Sequence, residues 1–298
     1  GAQHYFECLQ PFKNGAARQS DQIHQEIILS AAFACMQRRR FCLAKVYVLI
    51  LKKQNDMNLE SMITEPLELK TIIRRVENGY TRPFYCVCAD GFNYYVKGNE
   101  AGCEGRCSEL LSACIARAWD LPIPEFRIVH IPDTLLRYSV NSQELIADLG
   151  EGFAWGIREV EDVSLYTETI RKYISDDLAG KILLFDWFIK NEDRSLGNPN
   201  LLWNIISKEL SIIDHNLAFR KEHDFWNLHV FGDLHDAIFA TEARTKFEKL
   251  IKDSILHLDE YFDLIPEEWT DFEDFPAYRE RVCNYLKEPF ESPERFWC

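Results

Sequence analysis

The sequence predicts an α+β fold in which a strand-rich first part is followed by a mainly helical second part. Three observations carry that expectation. Phe84-Tyr85-Cys86-Val87-Cys88-Ala89 and Tyr94-Tyr95-Val96-Lys97 flank a strong Asp90-Gly91 turn and read as a hairpin. An apolar run opening at Ser108-Glu109 and passing through Leu110, Leu111, Cys114, Ile115 and Trp119 has helical spacing. Beyond Pro132 the chain reads as mainly helical, apart from one later hairpin.

In chain order, residues 1–56 look unlike the rest of the chain. Ser20-Asp21-Gln22 caps a helix through Ile27, Ile28 and Leu29 to Met36, Arg38-Arg39-Arg40 comes next, and residues 46–51 read as a strand. Met57 is an alternative start, so this segment is either an accessory element or artificially added sequence. Residues 66–73 lead into the turn-rich Asn78-Gly79-Tyr80-Thr81-Arg82-Pro83, and the hairpin and apolar helix come after it. Leu121-Pro122-Ile123-Pro124 ends the helix, and Phe126-Arg127-Ile128-Val129-His130-Ile131 is a further strand. The expected organisation is a small strand-rich part at 57–131 and a larger helical part at 132–298 with an acidic tail.

The chain has 298 residues, enough for one large or two small cores. Its net charge of -14 argues against a nucleic-acid or anionic-membrane surface, since either favours a basic face. A nucleotide remains compatible, because its phosphates need only a local cationic pocket. No run approaches the roughly 18–20 apolar residues of a spanning helix. Ten cysteines form no disulfide framework: Cys86 and Cys88 alternate in a strand, and Cys103 and Cys107 lack a second pair to complete a zinc site. Core thiols in a reducing compartment are the expectation, with a cytoplasmic location.

The chemistry concentrates at Asn191-Glu192-Asp193-Arg194-Ser195-Leu196-Gly197-Asn198-Pro199-Asn200 and at Ile213-Asp214-His215-Asn216. The first polar segment comes after an apolar run at 182–189 that reads as a buried helix. Leu201-Leu202-Trp203-Asn204 and Leu210-Ser211-Ile212-Ile213 then read as a hairpin turning around Ser207-Lys208-Glu209, which carries Asp214 back beside Asp193 and Asn198. Asp, Asn five positions later and Asp after a hairpin is the spacing that phosphoryl transfer uses for an acceptor-facing base and two metal ligands. Asn198 and Asp214 offer the hard oxygen donors that Mg2+ prefers. Lys97, at a strand end, is a candidate to neutralise the phosphates of ATP, and Glu109 is placed to orient it.

Each of these residues has a bland reading. Lys97 alone is a solvated lysine, Glu109 a helix-start carboxylate favoured by the dipole, and Asp193-Arg194-Ser195 a capping turn. Their occurrence together in the kinase order outweighs those readings. His215 reads as a local hydrogen-bonding or packing group, and the six-residue spacing of His223, His229 and His235 is not metal spacing on one helix.

Taken together, Tyr94-Tyr95-Val96-Lys97, Glu109, Phe185-Asp186, Asn191-x-Asp193-Arg194, Asn198-Pro199-Asn200-Leu201-Leu202 and Ile213-Asp214-His215 resemble the HipA-like protein kinases. The resemblance spans about residues 66–270, takes in Phe225-Trp226-x-x-His229 and Ile265-Pro266-x-x-Trp269, and is nearest to the compact members without the long amino-terminal region of the HipA toxins. It implies a protein-kinase-like fold of two lobes and an ATP- and Mg2+-dependent serine/threonine kinase, with a toxin or stress-response role. It makes Lys97 the phosphate lysine, Glu109 its partner, Asp193 the catalytic aspartate, and Asn198 and Asp214 the metal ligands. It places residues 128–131 at the link between lobes, with Val129, His130 and Ile131 meeting adenine.

The sequence departs from the kinase pattern at two places. Gly79-Tyr80-Thr81-Arg82-Pro83 replaces a glycine-rich phosphate loop, with Arg82 the candidate to compensate by its side chain. Asp214-His215-Asn216 replaces Asp-Phe-Gly, so the switching tied to that element is not assumed. The expected partner is a protein carrying the acceptor hydroxyl. The acidic, aromatic stretch 266–275 reads mainly as a solvated face with packed rings, and alternatively as a dock for an antitoxin or associated subunit. The rival functions are a small-molecule or lipid kinase of related fold, a nucleotide-sensing pseudokinase, and a purely structural protein.

Overall fold

In the computed structural model, residues 65–77, 81–138, 142–220, 228–272 and 274–297 are described. The segment 1–56, Asn78, Gly79 and Tyr80, and also His223 and Phe225-Trp226 lie outside them.

The first strand, β1 (Leu67–Arg75), is followed by β2 (Phe84–Cys88) and β3 (Asn93–Lys97). Side chains alternate across the pleat, so Phe84, Cys86 and Cys88 of β2 and Tyr94 and Val96 of β3 turn inward. The Asp90-Gly91 turn forms as expected: Gly91 takes a positive φ of 83°, which costs glycine little, and the Asp90 carboxylate accepts the Phe92 N–H at 3.1 Å. Two register irregularities between β1 and β2 add the bend that helps the sheet close.

Helix α1 (Gly102–Ala118) follows β3. It begins six residues earlier than Ser108, because Gly102 and Gly105 disguise its first turns in the sequence. The consequence matters for the site: Glu109 stands in the helix interior, so the helix-start reading of this carboxylate is wrong. Every residue from 105 to 116 is buried, which explains a run apolar on nearly all sides.

Strand β4 (Phe126–Ile131) leads through the short helices α2 (Asp133–Arg137) and α3 (Ser142–Asp148) to β5 (Gly152–Arg158). The five strands form a closed barrel in the order β1-β2-β3-β5-β4, with only the β1–β4 pair parallel. Leu69, Phe84, Cys86, Cys88, Tyr94, Val96, Val129, Ile131 and Ala154 fill its core, joined by Leu136 and Leu149. A boundary at residue 131 would therefore cut this sheet. The strand-rich part extends to Arg158 because β5 inserts between β3 and β4.

The remainder is mainly helical, with one small sheet. Helix α4 (Asp176–Phe188) is capped by the Ser175 hydroxyl, which accepts the Leu178 N–H at 3.2 Å, and it buries most of its length. The expected hairpin appears as β7 (Leu201–Asn204) and β8 (Leu210–Ile212), and β6 (Val163–Leu165) adds a third strand. Helices α5 (His235–Ile238), α6 (Thr241–Leu256), α7 (Leu258–Asp263), α8 (Phe275–Glu291) and α9 (Pro293–Phe296) follow among the described residues. Residues 61–298 form one compact unit.

Cys86, Cys88, Cys107 and Cys114 are buried and unpaired, the expected core thiols. The aromatic side of the acidic stretch is also packed: Trp269 is fully buried and donates its indole N–H to the Phe153 carbonyl at 2.9 Å. Among the described residues no helix is long and apolar enough to cross a membrane.

Candidate active site

The end of β3, the middle of α1 and the exit from β8 converge on one lysine. Lys97 is 7% exposed, and its Nζ lies 2.5 Å from Glu109 Oε1 and 2.5 Å from Asp214 Oδ1. The solvated-lysine reading fails on that burial. Removing an ammonium from water disfavours its charge, yet the two carboxylates outweigh this and raise the Lys97 pKa above the ordinary lysine value. Burial pushes Glu109 upward against the pull of Lys97. For Asp214, burial acts upward too, but the lysine charge dominates and holds it below the usual carboxylate range.

Asp214 adopts a left-handed φ of 61° directly after the hairpin. The Ile213 N–H donates to the Asn200 carbonyl at 3.0 Å, so the hairpin base fastens Asp214 to the Asp193 loop. Within that loop, Asp193 Oδ2 accepts the Asn198 side-chain amide at 2.9 Å and that of Asn200 at 3.0 Å. Asp193 Oδ1 has no hydrogen-bond partner among the described residues. No helix begins here, which removes the capping-turn reading of Asp193-Arg194-Ser195.

A buried charged network underlies the loop. Asp186, fully buried in α4, accepts Arg194 Nε at 2.6 Å, the Asn191 amide at 2.8 Å and His229 Nε2 at 3.0 Å. Arg194, also fully buried, donates to the Asn200 carbonyl at 2.6 Å and to His215 Nε2 at 2.9 Å. His215 returns to the lysine, since its backbone N–H donates to Glu109 Oε2 at 3.1 Å. Burial works against the Asp186 charge, but Arg194 and His229 outweigh it and keep the carboxylate ionised. Burial depresses His215 to about 3, with Arg194 adding to the effect. It is therefore a neutral acceptor toward Arg194, in agreement with a local hydrogen-bonding role.

Asp186, Arg194 and His229 stand in the motif without a chemical role that their spacing assigns. The available signal was Asp186 itself, a carboxylate inside an apolar helix, which requires buried partners.

The model of the HipA-like kinase family matches residues 69–297. The chain belongs to the HipA-like kinase family. No relative is found among curated proteins. Three solved kinases are similar at low identity. The proinflammatory kinase CtkA of Helicobacter pylori is 10% identical, with 75% of this chain and 94% of that one covered and a TM-score of 0.48. A Golgi casein kinase is 12% identical over 79% and 75% of the two chains, with a TM-score of 0.39. A MAP kinase of Leishmania major is 11% identical over 82% and 89%, with a TM-score of 0.24.

Two of the groups expected to face a ligand are engaged by the fold of this HipA-like kinase. Val129, His130 and Ile131 are not at the exit from the barrel. Val129 and His130 pair with both β1 and β5, Ile131 pairs with Gly152 of β5, and the Val129 and Ile131 side chains fill the core. The strand that leaves the barrel is β5, so the passage to the helical part runs through residues 159–162. The Arg82 guanidinium is 2.7 Å from Glu100, which Arg75 also engages.

The donor chemistry fits a hard divalent cation. Asp214 Oδ2 and the Asn198 side-chain oxygen make no hydrogen bond among the described residues, while their other side-chain atoms are fixed by Lys97 and Asp193. Among the described residues no cluster of three or more His, Cys, Asp or Glu could hold a metal alone. A kinase Mg2+ site would accordingly draw its remaining ligands from water and phosphate oxygens.

Proposed function

We propose that the chain is an ATP-dependent protein serine/threonine kinase whose site is formed by Lys97, Glu109, Asp193, Asn198 and Asp214. The observation that carries this reading is the buried Lys97, held at 2.5 Å by carboxylates from both the barrel helix and the hairpin. Such an ammonium is preorganised for phosphate oxygens, because its partners are fixed before ATP arrives. We read the barrel and the helical part as the two lobes. The linker 159–162 replaces Val129, His130 and Ile131 as the adenine-facing segment. Within it, the Val160 N–H and C=O make no hydrogen bond among the described residues.

Asn198 and Asp214 would hold Mg2+, which shields charge on the phosphates when bound. Lys97 neutralises phosphate oxygens, and Glu109 keeps the ammonium in place. The Asn198 and Asn200 amides hold Asp193 by one oxygen, so the other can orient a serine or threonine hydroxyl and accept its proton. The hydroxyl oxygen bonds to the γ phosphorus as the bond to the β-phosphate oxygen breaks, and ADP leaves. A toxin or stress-response role fits the family. Exposed Glu267, Glu268, Asp271 and Asp274 offer a basic antitoxin or associated subunit a face to dock on.

Incubation of the chain with Mg2+ and γ-labelled ATP in a cell lysate tests the proposal. Phosphoserine or phosphothreonine is expected with the wild type and to fall by about a hundredfold or more in Asp193→Asn. Equal labelling by both forms, or none by either, would overturn it.

A further inference from the structure

A pocket of about 510 Å³ opens beside Asp193, which forms part of its lining. Its lining carries three cations, Lys190, Arg220 and Arg281, which differ in how far the fold has already engaged them. Lys190 is buried, lies 2.6 Å from Glu288 of α8, and sits 4.2 Å from the centre of the Trp187 ring. Arg281 donates to Glu104 at 2.6 Å and to the Phe219 carbonyl at 2.9 Å. Arg220 is exposed and forms no ion pair among the described residues.

The pocket's carboxylates do not cancel it. Glu104 is neutralised by Arg281, Glu192 is itself partnered, and Asp193 belongs to the reacting centre. A solvated arginine on an ordinary surface would carry no meaning. This one shares a concave wall with the acceptor-facing carboxylate, in a chain whose net charge of -14 otherwise repels anions. Guanidinium recognises carboxylate in a planar, two-pronged geometry, which suits it to read an anionic group at a fixed distance from a hydroxyl.

We infer that Arg220 selects a carboxylate carried next to the acceptor hydroxyl, so that the preferred substrate is an acidic peptide. The inference rests on the protein-kinase reading above. The volume accommodates a hydroxyl side chain and a neighbouring acidic one, within the ordinary range of ligand pockets.

Peptides with one serine, flanked by glutamate, alanine or lysine, test it with Mg-ATP and the full chain. The wild type is expected to favour the glutamate series over the lysine series about fivefold or more in kcat/KM, the scale of one partly exposed ion pair. Arg220→Glu should reverse that order, and Arg220→Ala should abolish the preference. Transfer with the same order of preference in all three forms overturns the subsite and leaves the kinase reading standing. Absence of transfer by the wild type to any peptide or lysate protein overturns the kinase reading and the subsite with it.

Discussion

Lys97→Met is expected to lower stability by about 3–5 kcal/mol near neutral pH and phosphoryl transfer by about a hundredfold or more. The substitution leaves Glu109, 2% exposed, facing Asp214 with no cation between them. Most of the loss belongs to Glu109, since the Asp214 side chain is 32% exposed and water screens its part. The sign of the pH dependence follows from burial, which already pushes the Glu109 pKa upward. In the variant that carboxyl takes a proton on folding, so its contribution is full below the ordinary carboxylate pKa and is lost as pH rises from there through the raised folded value. The gap between variant and wild type should therefore narrow on acidification toward the ordinary carboxylate range, as read by urea unfolding at several pH values. Lys97→Met/Glu109→Leu should recover much of the stability but none of the activity. Recovery of both would mean that the lysine acts only in folding.

The second large effect is expected at Arg194. Arg194→Leu removes the cation from the fully buried Asp186 and the donors from Asn200 and His215. An uncompensated buried carboxylate costs about 3–5 kcal/mol, partly relieved here by the Asn191 and His229 hydrogen bonds. For a unit of this size the melting temperature should fall by roughly 6–20 °C. Arg194→Lys should recover only part of this, because an ammonium cannot span the carboxylate and the Asn200 carbonyl together. A change below 2 °C for either variant would show that the network is dispensable. The Asp193 loop depends on this arginine because Asn200 holds both: its carbonyl accepts from Arg194 and its amide donates to Asp193.

The sequence made the β7–β8 hairpin legible, because two short apolar runs flank a polar turn, and with it the return of Asp214 to the Asp193 loop. The Lys97–Glu109 contact was legible only as an order of residues. A glycine-containing start hid the first turns of α1, and hence the fact that Glu109 stands inside it. The place of β5 in the barrel could not be read, because residues 132–151 interrupt the strands with two short helices. The link that the resemblance implies at Val129, His130 and Ile131 falls within the sheet, where these residues pair with β5. Arg82 pairs with Glu100, eighteen residues away, and no local pattern announces such a contact. Asp186 was the one hidden partner with a visible sign, a charge within an otherwise apolar helix.

Calorimetric titration of ATP into the wild type and Asp214→Asn, with and without Mg2+, tests the proposed site most directly. Binding that strengthens about tenfold or more on adding Mg2+ in the wild type, with that gain lost in Asp214→Asn, is the expected result. No ATP affinity in the wild type, or the same Mg2+ dependence in both forms, would contradict a Mg-ATP site built on Lys97, Asn198 and Asp214.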